Sequence, residues 1–395
     1  MITINNEKQC CGCAACFDIC PKHSIEMKEG TLGHLFPVVD SSTCINCKLC
    51  EKTCPMLKTP DRNSWLQAVY AARNNDFEIR KKSSSGGLFF TIASFLIKNG
   101  YIVFGAAFDD NLLLKTTYTD KSESLDPFCK SKYVQSSTMG VFKRIREFLN
   151  SGKKVMYCGT PCQISALKLF LNKDYRDLFL VDFFCHGVPS QLYFNQCKSL
   201  VEKKKNIRIT GYEFRTKIKN GVTPHYFTRR FVKNGRSKSK IGFYYNSPCY
   251  AAFQSYVNLR ESCYGCLYSG EKRFSDLTIG DFHNIEKYDK SINRFDGIST
   301  LIVNSSKGND LLQNISGDLC LKQMDLQQLI YNGELFSGGT IRPKERDEFI
   351  ADYKHLSFEE LNIKWFSKKK YLLQAVYYHL PRIVRRMVKH IGGAK

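Results

Sequence analysis

The chain has 395 residues, too many for one small core and suited to two or three domains. Its 43% apolar content is that of a globular protein and excludes a disordered one. The formal net charge is +22, but residues 1–60 hold six lysines against six acids, so the excess lies downstream; this favours an acidic partner, an anionic substrate or a membrane surface, and no motif supports nucleic acid.

Residues 1–58 read as short elements punctuated by Cys and Pro, and Thr59–Ser64 as a polar linker. From Trp65 the texture alternates between strand and helix. Val69–Arg73 reads as a strand, Ser83–Gly87 as a loop opening a helix over Leu88–Lys98, and Tyr101–Phe108 as a buried strand. A helix over 140–150, a strand at Lys154–Tyr157, the loop Gly159–Cys162 opening a helix through Leu171, and a strand at Leu178–Phe184 follow. This order predicts an α/β domain with a largely parallel sheet and ligand loops at the strand ends. Residues 205–245 read as a β-rich insertion, with strands at Thr210–Thr216 and His225–Val232; Leu277–Gly280 and Ser299–Asn304 are later strands. From Leu361 onward there are nine bases and no acid, mixed with apolar residues such as Trp365 and Phe366. That basic amphipathic tail could lie on anionic lipid or dock on the protein itself, and Pro381 would break its helix. The longest apolar run, Leu88–Ile97, is about half a bilayer span.

Cysteine is the outlier, with 18 residues, nine of them within positions 10–54. No apolar signal region precedes them, so reduced thiols in the cytoplasm are expected rather than a disulfide framework. Cys10-x2-Cys13-x2-Cys16-x3-Cys20-Pro21 recurs as Cys44-x2-Cys47-x2-Cys50-x3-Cys54-Pro55. Such a run wraps three thiolates around one cubane and sends the fourth, before proline, to the other. The expected ligand sets for two [4Fe–4S] clusters are therefore Cys10, Cys13, Cys16 and Cys54, and Cys44, Cys47, Cys50 and Cys20. Paired C-x2-C also suits zinc, but two runs each closed by Cys-Pro favour iron. Cys11 has no slot. Further along, Cys162, Cys185 and Cys263-x2-Cys266 each lie where an element ends; spacing alone leaves open a third cubane or buried structural thiols, and the latter reading extends to Cys129, Cys197, Cys249 and Cys320.

The segments Ser84–Gly87, Ser131–Ser136, Gly159-Thr160-Pro161-Cys162-Gln163, Cys185–Ser190, Cys263-x2-Cys266 and Ser275–Phe282 carry a family likeness. From about residue 65 the chain resembles the beta subunits of coenzyme F420-reducing hydrogenase and formate dehydrogenase. With its fused ferredoxin it is similar to bacterial members associated with surface-polysaccharide biosynthesis. The resemblance covers nearly everything from residue 10 to about 330 and excludes the basic tail. It implies an α+β dicluster ferredoxin module (1–58) and then an α/β domain of the F420 hydrogenase beta-subunit type (65–204 and 205–335), followed by the tail (361–395). It implies FAD and a third [4Fe–4S] cluster on Cys162, Cys185, Cys263 and Cys266. His283 follows Phe282 where related sequences commonly have tryptophan, which leaves a substrate inferred from relatives in doubt.

A cubane passes single electrons and a flavin converts them to pairs, so the two groups together suit a two-electron substrate. No Gly-x-Gly-x-x-Gly follows a strand here, so flavin binding rests on the resemblance and on loop chemistry. Ser85, Gly86 and Gly87 could cradle a phosphate at a helix start or simply form an N-cap turn. Lys132 and Thr160 complete the candidate flavin set, Arg215 is a second candidate base for an anion, and His186 and His283 are candidate proton relays. Asp276 and Asp281 read as caps of an apolar strand. The leading expectation is an iron–sulfur flavoprotein oxidoreductase, supplied by a soluble donor or partner redox protein and acting on a small molecule, with an anionic sugar-linked one as the candidate. The alternative is an electron-delivery subunit without a substrate site. Cytoplasmic location is expected, with peripheral membrane contact through the tail.

Overall fold

A computed structural model describes residues 1–61, 68–218, 225–292, 297–332 and 338–367. The expected linker beyond residue 61 and the tail beyond residue 367 therefore fall largely outside the described residues. No described helix is long and apolar enough to cross a membrane.

The N-terminal module contains α1 (Ala15–Ile19), the antiparallel pair β1 (Ile25–Glu29) and β2 (Leu35–Val39), and α2 (Leu49–Lys52). Its core is small, built from Ile2, Ile25 and the cysteines themselves. The backbone turns by a repeated device. Gly12 and Ala14 in the first cysteine loop, and Asn46 and Lys48 in the second, all have positive φ, at 71°, 56°, 51° and 59°. Residues alternating into the left-handed region coil the chain tightly and turn successive N–H groups inward, which suits an anionic guest.

The larger domain begins with β3 (Ala68–Asn74), α3 (Phe77–Lys82), α4 (Leu88–Lys98), β4 (Tyr101–Phe108) and β5 (Leu114–Thr119). It continues through α5 (Val141–Asn150), β6 (Lys154–Gly159), α6 (Pro161–Leu171), β7 (Leu178–Phe183) and α7 (Gln191–Lys205). A three-stranded antiparallel insertion follows, β8 (Arg208–Glu213), β9 (Tyr226–Lys233) and β10 (Arg236–Phe243), then α8 (Pro248–Gln254). The last described elements are β11 (Leu277–Asp281), β12 (Ser299–Val303), α9 (Ser306–Ile315), β13 (Leu319–Met324), α10 (Leu326–Tyr331), α11 (Arg346–His355) and α12 (Phe358–Phe366).

The main sheet has eight strands in the order β13-β3-β12-β11-β7-β6-β4-β5. The expectation of a largely parallel sheet is corrected: only β4–β6, β6–β7 and β7–β11 pair in parallel, and the other four pairings are antiparallel. Because β12 runs against both β11 and β3, β3 still points the same way as β4, β6, β7 and β11, and the carboxyl ends of all five lie on one edge. Side chains alternate between two helical layers. Val155, Tyr157, Leu178 and Leu180 pack under α5 and α6, while Met156, Phe179 and Val181 pack under α4 and α9. A separate aromatic core joins α7, α8, the insertion and the last two helices. Trp365 and Phe366, at the start of the basic tail, are buried in it, so this part of the tail docks on the protein itself.

The ferredoxin module is built into the first of these layers. Cys11, Cys13 and Ala15 belong to the same buried cluster as Phe142, Ile145, Ile164 and Phe170. Asp18 accepts hydrogen bonds from Gly140 N (2.6 Å) and Phe142 N (3.0 Å), so one module caps a helix of the other. Tyr268 Oη donates to Pro55 O (2.5 Å), Ser190 Oγ donates to Leu32 O, and His34 Nε2 meets Val188 O at 2.9 Å. Gly33, with φ 76°, lies so close to α7 that a Cβ there would sit 2.4 Å from Leu192 Cβ.

Candidate electron-transfer site

Of the eight ferredoxin cysteines, one set is enclosed and the other is open. Cys16 is an electrostatic neighbour of Cys10, Cys13 and Cys54, and burial pushes its thiol well up. Cys20, Cys44, Cys47 and Cys50 instead line a pocket with about 370 Å³ of atom-free space, walled by Ile25, Val39, Ile45 and Leu49. Cys47 is exposed at its mouth. Backbone amides point at sulfur in both sets: Gly12 N donates to Cys10 Sγ (3.3 Å), Ser24 N to Cys20 Sγ (3.3 Å) and Ile2 N to Cys50 Sγ (3.4 Å). Such N–H···S bonds favour the more negative reduced state of a cluster. A four-cysteine pocket lined with amide donors fits a cubane. Among the described residues no three His, Cys, Asp or Glu side chains gather tightly enough for a lone metal ion; a cubane, unlike a lone ion, takes one thiolate at each corner iron.

Cys162, Cys185, Cys263 and Cys266 come from three separate loops, yet Cys162 acts electrostatically on the other three, and Cys263 and Cys266 both act on Cys185. Cys162 opens α6, where Thr160 and Gln163 form a capping box and Thr160 Oγ1 lies 3.1 Å from Cys162 Sγ. Gly187 N donates to Cys185 Sγ (3.4 Å). Burial pushes Cys263 up to about 12, a thiol that only a bound metal would hold deprotonated at neutral pH. Cys11, left without a slot, sits between the sets and shares hydrogen bonds with Cys13 and Cys162. Tyr157 Oη is buried without a hydrogen-bond partner among the described residues, and Cys158, Cys162, Cys13 and Asp18 act on it electrostatically. An orphaned phenol between two thiol sets fits sulfur acceptors at that place.

The candidate flavin residues share the carboxyl edge of the sheet but use their polar groups differently. Ser85 Oγ donates to Ile298 O (2.6 Å), and Gly86 N donates to Ser299 Oγ (2.9 Å). Gly86 is buried against β3, where a Cβ would come within 2.6 Å of Ala72 O; Gly87, with φ 88°, starts α4. Lys132 does not present its ammonium to the edge. It donates to the carbonyls of Phe128, Cys129 and Lys130 (3.2, 2.9 and 3.1 Å), and burial lowers its pKa to about 8.

Arg215 pairs with Asp281, so its charge is already matched. Asp281 is thus an ion-pair partner rather than a strand cap: burial pushes its carboxyl up, but Arg215 and His283 hold it below the usual range. Asp276 does act as expected, accepting from Leu180 N (2.8 Å) and Ser305 Oγ (2.6 Å). Lys217, which the sequence did not single out, donates to Ser85 O (2.6 Å); burial, then Arg215 and Arg80, lower it to about 7. His186, next to Cys185, is lowered by burial and by His283. Cys129, Cys197 and Cys249 are buried as expected, whereas Cys320 is exposed on the edge strand β13.

Residues 9–57 match the 4Fe-4S dicluster domain, and residues 152–328 match the C terminus of the coenzyme F420 hydrogenase/dehydrogenase beta subunit. An uncharacterised ferredoxin of Methanocaldococcus jannaschii is 37% identical over 81 residues, 20% of this chain and 95% of that protein. A chain of the xenon-derivatised F420-reducing [NiFe] hydrogenase complex from Methanosarcina barkeri aligns over 70% of this chain and 91% of its own length, with 19% identity and a TM-score of 0.43. With two cysteine-lined sites in the matched ferredoxin segment, the chain belongs to the dicluster ferredoxins in its N-terminal module, is similar over residues 152–328 to the C terminus of the F420 hydrogenase/dehydrogenase beta subunit, and is an iron–sulfur electron-transfer protein.

Proposed function

We propose that the chain is an iron–sulfur flavoprotein oxidoreductase that links a soluble one-electron carrier to a two-electron substrate, as in surface-polysaccharide chemistry. The observation that carries this reading is the convergence of Cys162, Cys185, Cys263 and Cys266 beside the enclosed ferredoxin thiols, with the polar strand-end loops next to them. In this reading Cys10, Cys13, Cys16 and Cys54 ligate the inner ferredoxin cluster, Cys20, Cys44, Cys47 and Cys50 the outer, and the four later thiols a third. In the same reading the Ser85–Gly87 loop and Thr160 would hold FAD, which would supply the exchange between single electrons and pairs. His186, lowered by burial, and Lys217, lowered to about 7, would hold and release protons there.

The outer pocket is the entry side. Val38, Ile45 and Leu57 are exposed in this part of the module, and the exposed Lys22 and Lys48 line the pocket. Apolar side chains among exposed lysines suit brief contact with an acidic carrier. Anaerobic purification followed by iron, sulfide and flavin assays tests the whole reading: about twelve irons and one flavin per chain are expected. About eight irons without flavin overturns it in favour of a second reading, electron delivery to a partner enzyme without a substrate site. That second reading is favoured by the open pocket's position over the outer thiols rather than at the strand-end loops.

A further inference from the structure

Arg260 is fully buried, and three of its nitrogens donate hydrogen bonds: Nε to Cys10 O (2.7 Å), Nη2 to Leu35 O (2.8 Å) and Nη1 to Gln135 Oε1 (3.2 Å). Its guanidinium lies 4.2 Å from the centre of the Phe36 ring. Every one of these partners is neutral. Three other buried arginines are matched, Arg215 by Asp281, Arg346 by Glu261 and Arg273 by Asp182, whereas Arg229 lies buried among Tyr212, Phe227 and Cys249, away from the ferredoxin cysteines. Among the described residues no carboxylate pairs with Arg260. Burying a guanidinium without an anion is costly, so this site calls for one.

Its position says where that anion is. Arg260 grips the carbonyl of Cys10 and packs so tightly on Gly12 that a Cβ there would sit 2.6 Å from Nη1. It also acts electrostatically on Cys162 and Cys263. A cubane held by four thiolates is net negative, and becomes more so on reduction. We propose that Arg260 is the internal counter-charge of the inner ferredoxin cluster and of the adjoining four-thiol site, and that it raises the reduction potential of both. The second half of this statement rests on the third cluster of the proposed function; the first half rests on the dicluster module alone.

The test is an anaerobic redox titration followed by electron paramagnetic resonance, with the outer cluster identified by its loss in Cys47→Ser. Arg260→Gln is expected to lower the midpoint potentials of the inner and third clusters and to leave the outer one in place. Arg260→Lys keeps the charge but loses the forked hydrogen bonds, and should stay near the parent values. Equal shifts for Lys and Gln would reveal a packing role and overturn the proposal, as would unchanged potentials in Arg260→Gln with full iron. If Arg260→Gln fails to hold iron, Gln135→Glu decides. It sets a carboxylate beside the guanidinium and should lower the same two potentials; unmoved potentials at full iron content overturn the proposal. A parent protein with eight irons ends the third-cluster reading and leaves the inner-cluster shift to be judged alone.

Discussion

The two ferredoxin loops share a spacing and a backbone device but differ in surroundings. The inner set is walled in by α5 and α6, bonded through Asp18, Thr138, Gln135 and Arg260, and shares their core. The outer set has its own small apolar wall and an exposed cysteine. The same motif therefore serves two tasks, and it is the neighbouring domain that separates them. A cluster in dry surroundings beside a buried cation differs in potential from one open to water, so in the proposed reading like ligand sets would form successive steps of one path.

Removing a ligand on each side should break this symmetry most strongly. Cys16→Ser and Cys47→Ser are each expected to reduce cluster iron by up to about four per chain, but only Cys16→Ser should lower the melting temperature sharply, because Cys16 is buried in the module's core and its set-mate Cys13 lies in the core between modules, whereas Cys47 is exposed. Differential scanning fluorimetry with iron analysis reads both. Next comes Gly33→Ala, which combines a left-handed backbone with overlap on Leu192 and should cost about 3 kcal/mol. Gly235→Ala, equally left-handed at φ 73° but in open space, should cost only about 1 kcal/mol. Chemical denaturation of the two variants compares them.

Acid should act through the same contact. His34 is held neutral by burial and by Arg260, and its pKa falls to about 3. A depressed histidine contributes stability that is present above its unfolded pKa of about 6.5 and is lost as pH falls toward the folded value. Stability should therefore drop by about 2 kcal/mol between pH 7 and pH 5 on this account, and His34→Gln should flatten that slope in pH-dependent unfolding. Asp18→Ala removes a helix cap and should cost about 1 kcal/mol. On the open side, Ile45→Gln should change stability by less than about 0.5 kcal/mol while slowing reduction by a protein carrier, with small viologens unaffected in stopped-flow traces.

The dicluster ferredoxin module was legible because thiolate spacing is itself the chemistry. Elements such as α4 and β4 were legible because their apolar runs and the Asn99–Gly100 stop are local. Strand direction was not: β12 is buried at every position, and an apolar run looks the same in either orientation. β10 was missed because its first six residues are exposed and show no alternation. The signal was there nonetheless, in Asn234-Gly235, both with positive φ, which form the hairpin turn to β9. Lys132 looked like an anion ligand because sequence cannot show that its own loop would occupy the ammonium. Arg260 carried no signal at all. It is one arginine three residues before a Cys-x2-Cys, and only the fold brings Cys10 to it.

Because Cys11, Cys13 and Ala15 complete an apolar layer whose other members come from α5 and α6, neither half of the chain is finished by itself. Cut after residue 61, the larger piece would present a greasy scar and an uncapped helix start to water, and would clump during expression. The junction works as a weld rather than a tether, so passage of electrons between the halves should not depend on solvent viscosity.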